Sequence, residues 1–338
     1  MIEKDAEKRI RSFDFAIAAS VGYFLLFENK SQSYMTKRKV EKMEKKTVFK
    51  GVATALITPL DENGINYEKF GALIDDQVKR GVNALVICGT TGEASTLNDK
   101  DHIGAIAYAV EKVGGRIPVI AGAGSNDSAH GLELAKESCR VGADALLVVT
   151  PYYNKTSQKG LIKLYNDVAD ASDKPIILYN VPSRTGVNIE PATYAALAEH
   201  ENIVGIKEAN GNLEKIVETM TLVGDKLDLY SGNDDQVVPL MSLGGKGVIS
   251  VVSNVLPEDM VEMCQRYFRG DVKGAAEMQF KLHKITKAMF SDVNPIPVKA
   301  AMAALGYCDN FVRGPLVPME GEPYEKMLSV MREYGLNV

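Results

Sequence analysis

Between Val52 and Phe268 the chain repeats one unit eight times: a short apolar run, then a segment with apolar residues at helical spacing. The runs are Val52–Thr58, Ala84–Cys88, Ile117–Ala121, Ala145–Thr150, Pro175–Tyr179, Ile203–Ile206, Leu227–Tyr230 and Val248–Val252. The helical segments are Tyr67–Arg80, Lys100–Val113, Ser128–Val141, Gln158–Ala171, Pro191–Glu199, Leu213–Val223, Gln236–Leu243 and Pro257–Phe268. Strands that alternate with helices pair in parallel, because each helix carries the chain back to the same end of the sheet. Eight such units in about 220 residues match the rhythm of a (β/α)8 TIM barrel in the α/β class. A doubly wound sheet is the competitor, and it ordinarily uses fewer strands around a ligand site. No G-x-G-x-x-G follows the first run; Gly122-Ala123-Gly124-Ser125-Asn126-Asp127 follows the third and lacks the last glycine. That disfavours a dinucleotide site. After Phe268 the pattern is purely helical, punctuated by Pro295, Pro297 and Pro315. The expected division is an extension over 1–46, a catalytic barrel over 47–270 and a helical appendage over 271–338.

Chemistry in such a barrel sits on the loops that leave the C-terminal ends of the strands. The sixth run, Ile203–Ile206, is β-branched and uncharged, closes on Lys207, and is followed by the helix-capping Asn210-Gly211-Asn212. Side-chain alternation places Ile203, Gly205 and Lys207 on one face, with Gly205 leaving space beside the amine. Desolvation at the end of a buried strand favours the neutral amine, which is the nucleophile of Schiff-base chemistry. The plainer alternative is a lysine whose stem packs while its ammonium reaches water.

The other strand ends collect polar groups. Gly89-Thr90-Thr91-Gly92-Glu93 forms a tight turn whose amides and hydroxyls can hold a small carboxylate, or simply cap a helix. Thr150-Pro151-Tyr152-Tyr153-Asn154-Lys155 places two tyrosines on a loop tip, as interfaces often do. In Leu178-Tyr179-Asn180-Val181-Pro182-Ser183-Arg184-Thr185-Gly186, Tyr179 shares the face of Ile177 and is expected to point into the barrel beside the lysine. Arg184 offers a planar fork that fits a carboxylate. Ser231-Gly232-Asn233-Asp234 and Gly247-Val248-Ile249-Ser250 end the last two strands, with glycines that let backbone approach a ligand.

Charge and cysteine usage narrow the classes. The net charge is −5, with +5 on residues 1–50 and −10 on the remainder. An acidic body argues against nucleic acid as the main partner. Cys88, Cys139, Cys264 and Cys308 are far apart, without a C-x-x-C pair, so a reducing, cytoplasmic setting without a structural metal is expected. Residues 1–46 differ from the body. Phe15–Phe27 is too short to span a bilayer and lacks the flanks of a secretory signal, and residues 29–46 read as a charged, disordered linker. We expect an over-extended reading frame, with Met35 or Met43 as the start; an amphipathic membrane-surface anchor is the alternative.

From Thr47 to Val338 the chain resembles the dihydrodipicolinate synthase (4-hydroxy-tetrahydrodipicolinate synthase) family, within the N-acetylneuraminate lyase group of class I Schiff-base barrels. The resemblance rests on Gly-Thr-Thr-Gly-Glu, Pro-Tyr-Tyr-Asn, Tyr-Asn-Val-Pro-Ser-Arg-Thr-Gly and Gly-Ile-Lys-Glu-Ala, in that order. It implies that Lys207 forms an imine with pyruvate, with no separate cofactor and no metal. Tyr179 becomes the proton donor and acceptor, linked through Thr91 to Tyr153, which in the family reaches across a tight dimer into the partner's site. Thr90, Thr91 and the backbone at Ile249 would seat pyruvate, Gly232 leaves room, and Arg184 would hold the carboxylate of L-aspartate 4-semialdehyde. The implied product is 4-hydroxy-tetrahydrodipicolinate, at the first committed step of the diaminopimelate and lysine pathway. The implied assembly is a tight dimer, pairing into a dimer of dimers. A sugar-acid lyase is the rival, disfavoured by Arg184; a non-catalytic ligand-binding barrel is disfavoured by the intact set of Lys207, Tyr179, Tyr153 and Thr91.

Relatives inhibited by lysine carry a dimer-interface pocket whose counterparts here are Ala94, Ser95, Asp99, His102, Asn126, His130 and Tyr152. The inhibited forms have glutamate where this chain has His130. The pocket is therefore expected to be degenerate and lysine a weak inhibitor.

Overall fold

The computed structural model describes residues 47–338; the expectations for residues 1–46 lie outside the described residues. Eight parallel strands close a barrel: β1 (Gly51–Ala55), β2 (Ala84–Ile87), β3 (Val119–Gly122), β4 (Ala145–Val149), β5 (Ile176–Asn180), β6 (Ile203–Glu208), β7 (Asp228–Ser231) and β8 (Gly247–Ser250). Sequential strands are neighbours, and β8 returns to β1 with Gly51 opposite Gly247. That closure needs glycine. A Cβ on Gly247 would stand 1.8 Å from the Gly51 carbonyl oxygen, and its φ of 141° disfavours any other residue.

Each strand leads to a helix: α1 (Tyr67–Lys79), α2 (Asp99–Val113), α3 (Ser128–Arg140), α4 (Gln158–Asp170), α5 (Pro191–Leu197), α6 (Leu213–Val223), α7 (Val237–Ser242) and α8 (Pro257–Phe268). Their starts are chemically marked. Asn66, Asn98, Asp127, Ser157 and Asn212 each accept a backbone N–H of the first turn through the side chain. A two-stranded hairpin, Leu60–Asp61 with Gly64–Ile65, lies between β1 and α1. The region after α8 contains α9 (Val272–Met289), α10 (Ile296–Ala304) and α11 (Gly321–Tyr334).

The strands are buried on both faces, so two apolar layers form. Ala53, Ala84, Val86, Ile120, Leu147, Ile177, Tyr179, Tyr230 and Ile249 fill the barrel interior. Leu85, Leu146, Leu178, Ile206 and Val248 face the helices. Phe49, just before β1, stacks on Tyr230 with ring centroids 4.3 Å apart, and the Tyr230 hydroxyl donates to the Phe49 carbonyl at 2.8 Å. This plugs the interior where β1 begins.

One register detail corrects the simple alternation expected for the sixth strand. The β5–β6 pairing slips after Ile176: Ile176 opposes Ile203, but Ile177 opposes Gly205. The extra residue is a bulge, and a bulge turns a side chain to the other face. Ile203 consequently packs outward with Ile206, whereas Gly205 and Lys207 keep the inward face.

Candidate active site

Lys207 is carried on the inward face of β6, in register with Tyr179 on β5, and both side chains are buried. Its Nζ stands 4.1 Å from the centroid of the Tyr179 ring. Such a pairing sets the Lys207 head group over the face of the Tyr179 ring. Gly205 leaves room for its neighbours on the inward face: a Cβ there would meet the Asp228 carbonyl oxygen at 3.1 Å and the Tyr230 ring at 3.3 Å, not Lys207.

The loop after β2 is tightly wound. Glu93 N–H donates to the Thr90 carbonyl at 3.1 Å, Ala94 N–H to the Gly89 carbonyl at 3.3 Å, and the Thr58 hydroxyl to the Gly92 carbonyl at 2.8 Å. Cys88 (φ 55°) and Glu93 (φ 58°) bracket it in the left-handed region, which non-glycine residues adopt only when their surroundings impose it. Thr91 is buried, and its Oγ1 accepts a hydrogen bond from Asn294 Nδ2 at 3.0 Å. Arg184 lies on a single helical turn, Pro182–Thr185, after β5 and donates through Nη2 to the Asn294 carbonyl at 3.1 Å. Asn294 thus joins two of the expected site residues from outside the barrel. Sequence reasoning missed it, and its lone signal was the Asn-Pro step that opens α10.

Two further acids escaped the sequence reading. Glu208 follows Lys207 on the opposite face of β6 and is buried. It accepts from Asn180 Nδ2 (3.0 and 3.2 Å), the Tyr194 hydroxyl (2.9 Å) and the Asn210 amide (2.9 Å). Burial pushes its carboxyl up to about 7 against those donors. This network ties the end of β5, which leads to Arg184, to the strand of Lys207. Asp234, beyond β7, is also buried, and its Oδ2 accepts the amides of Val251 (2.9 Å) and Val252 (3.2 Å). It fixes the turn just past Ile249. Burial raises its carboxyl above the usual range, opposed by the Ser250 hydrogen bond, those two amides and the Lys207 amine.

Gly232 N–H donates to the Glu208 carbonyl at 2.8 Å, which sets it beside the lysine strand, and Ile249 lies in the interior layer. A cavity of about 290 Å³ opens beside β2 to β5, and its walls include Thr90, Tyr179, Arg184 and Thr185 but not Lys207, Thr91, Gly232 or Ile249. Ala94, Ser95, His102, His130 and Tyr152, from the expected effector pocket, line the same cavity. His102 Nε2 lies 2.7 Å from the Gly122 carbonyl oxygen, and burial lowers its basicity. His130 contacts Asp99 Oδ1 through Nε2 at 2.8 Å and Ser125 Oγ through Nδ1 at 3.1 Å. Asn126 reaches the tyrosine loop, its carbonyl accepting from Asn154 Nδ2 at 2.8 Å. Tyr153 is set apart. It is 90% exposed, at φ 69°, whereas Thr91 is buried. Among the described residues no group of three or more His, Cys, Asp or Glu side chains could hold a metal ion.

Sequence comparison agrees with this geometry. The profile of the dihydrodipicolinate synthetase family matches residues 48–333. The 4-hydroxy-tetrahydrodipicolinate synthase of Thermoanaerobacter sp. (strain X514) is 50% identical over 290 residues, covering 86% of this chain and 98% of that protein. The crystal structure of dihydrodipicolinate synthase from Thermotoga maritima superimposes with a TM-score of 0.84 at 43% identity, covering 86% of this chain and 99% of that one. The enzyme from Cyanidioschyzon merolae with lysine bound gives a TM-score of 0.83 at 36% identity, covering 86% of this chain and 100% of that one. By the profile match over residues 48–333 and this identity to its relatives, the chain belongs to the dihydrodipicolinate synthetase family.

Proposed function

We propose that this protein condenses pyruvate with L-aspartate 4-semialdehyde to 4-hydroxy-tetrahydrodipicolinate, the entry step of diaminopimelate and lysine biosynthesis. The single observation that carries the reading is Lys207 Nζ over the Tyr179 ring on neighbouring strands, inside a barrel of this family. Lys207 adds to the ketone carbon of pyruvate, and loss of water gives the imine. Removal of a methyl proton yields an enamine, which attacks the aldehyde carbon of the semialdehyde. The semialdehyde's own amine then displaces Lys207 as the ring closes. Tyr179 takes and returns protons at these steps. The imine itself is the electron sink, so the reading assigns no separate cofactor.

Thr90, Thr91 and the Ile249 backbone seat pyruvate; Gly232 leaves room beside the lysine strand; Arg184 binds the second substrate's carboxylate. Arg184 lining the cavity beside Tyr179 supports that role. The exposed Tyr153 suits a residue that completes the site of a second copy, so a tight dimer, pairing further into a dimer of dimers, belongs to the reading. Four free, separated cysteines support a cytoplasmic setting. In the effector pocket, His130 in place of an acid makes lysine a poor ligand.

The test is turnover with each candidate substrate. Consumption of aspartate semialdehyde with pyruvate, and none of N-acetylneuraminate, is expected; the reverse preference would make the protein a sugar-acid lyase.

A further inference from the structure

The region after α8 is tied to the β2 loop by a charge pair shut away from water. The Lys299 side chain on α10 is 0% exposed, that of Glu93 is 1% exposed, and Lys299 Nζ stands 2.5 Å from Glu93 Oε1. The other carboxylate oxygen, Oε2, accepts the Arg313 amide at 2.9 Å. The Arg313 guanidinium then reaches the Thr96 carbonyl at 3.2 Å and Asp101 Oδ2 at 2.9 Å. The grip centres on Glu93, which holds a left-handed turn two residues beyond Thr91. Stability alone is a weak reason to keep such a pair, since well-packed apolar residues usually serve a core as well or better. Burial pulls the Lys299 ammonium below its ordinary basicity, with Glu93 opposing that shift. The pair therefore holds its charges at a cost, and what it holds in place is the loop that carries Thr90 and Thr91.

We propose that Glu93 and Lys299 are positioning residues for pyruvate, locking the left-handed turn at Glu93 so that Thr90 and Thr91 present their groups to the substrate carboxylate. The inference rests on the assignment of Thr90 and Thr91 to pyruvate. Neither member of the pair touches substrate. The pair makes the C-terminal region a working part of the site, because Lys299 and Arg313 both lie there.

The experiment compares the full-length protein with the double variant Glu93→Gln/Lys299→Met, which removes both charges and preserves both shapes. With no unpaired charge left in the core, its thermal midpoint stays at or above the parent's. The expected kinetic result is selective: the KM for pyruvate rises about tenfold or more and kcat falls, while the KM for the semialdehyde stays within about twofold. A stable double variant with an unchanged pyruvate KM would overturn the inference, as would equal effects on both substrates. Should the double variant not fold, Glu93→Asp decides. It keeps the charge balance but draws the carboxylate off one of its two partners, so a selective rise in pyruvate KM supports the proposal and parental kinetics overturn it. Borohydride trapping of pyruvate on Lys207 in the parent accompanies both. Failure of that trapping would overturn the site assignment itself, whereas parental trapping with normal variant kinetics would overturn only the positioning role.

Discussion

Glu208 makes the stability of this barrel depend on pH in a direction opposite to that of most acids. A surface or salt-bridged carboxylate stabilises the native state as pH rises, because it ionises more readily when folded. Glu208 does the reverse: burial raises its carboxyl from about 4.5 to about 7. Between those values the native state holds a proton that the unfolded chain has released. The stability from this group is complete below the lower value and is lost as pH rises through the higher one. From about pH 5.5 to about pH 8.5 the loss amounts to about 2 kcal/mol. Glu208→Gln isolates it, since an amide of the same shape does not titrate. Urea unfolding of parent and variant at both pH values gives the difference, in which groups common to the two cancel. The parent's advantage over Glu208→Gln should shrink by that amount at the higher pH. A difference that stays flat or grows with pH would refute the reasoning. It would mean that Asn180, Tyr194 and the Asn210 amide, all of which donate, outweigh the loss of water.

Two other outcomes follow from the site. Arg184→Ala should lose roughly 2–4 kcal/mol of transition-state binding for the semialdehyde while imine formation with pyruvate survives; an unchanged kcat/KM for the semialdehyde would remove Arg184 from the site. If the proposed effector pocket is right, free L-lysine should inhibit weakly, because His130 would stand where lysine-inhibited relatives carry an acid and the nearby Asp99 carboxylate is engaged by His130. Losing such a contact weakens binding on the order of ten- to a hundred-fold, and half-inhibition at sub-millimolar lysine with saturating pyruvate would contradict it.

Much of the barrel was legible because its period is local. Ala84–Cys88 and Ala145–Thr150 differ from the observed strands by one terminal residue each, where an uninterrupted apolar run has clear ends. The first run overshot: Leu56, Ile57 and Thr58 are buried but lie outside β1, so hydrophobicity alone could not mark where pairing stops. Val251 and Val252 likewise continue an apolar run beyond β8, but Asp234 captures their amides and bends the chain. The sixth run was cut short at Ile206 because a charged residue reads as a strand end, although β6 continues through Lys207 and Glu208. A bulge such as that beside Ile203 leaves no compositional trace.

The site divides in the same way. The candidate residues Lys207, Tyr179, Arg184 and the threonine loop are legible at strand ends, where polar residues interrupt apolar runs. Asn294 and Lys299 are not, since each meets its partner across more than two hundred residues of chain and carries no periodic signal. Lys299 would even read as an exposed helix charge, yet it is fully buried. Contacts of that kind are set by how the C-terminal helices settle on the barrel.

Covalent capture of pyruvate tests the central claim most directly. Incubation with pyruvate and borohydride, followed by intact mass measurement and peptide mapping, should give one reduced adduct per chain, located on Lys207. The adduct should be absent from Lys207→Met. An adduct on any other lysine, or no adduct at saturating pyruvate, would contradict the account.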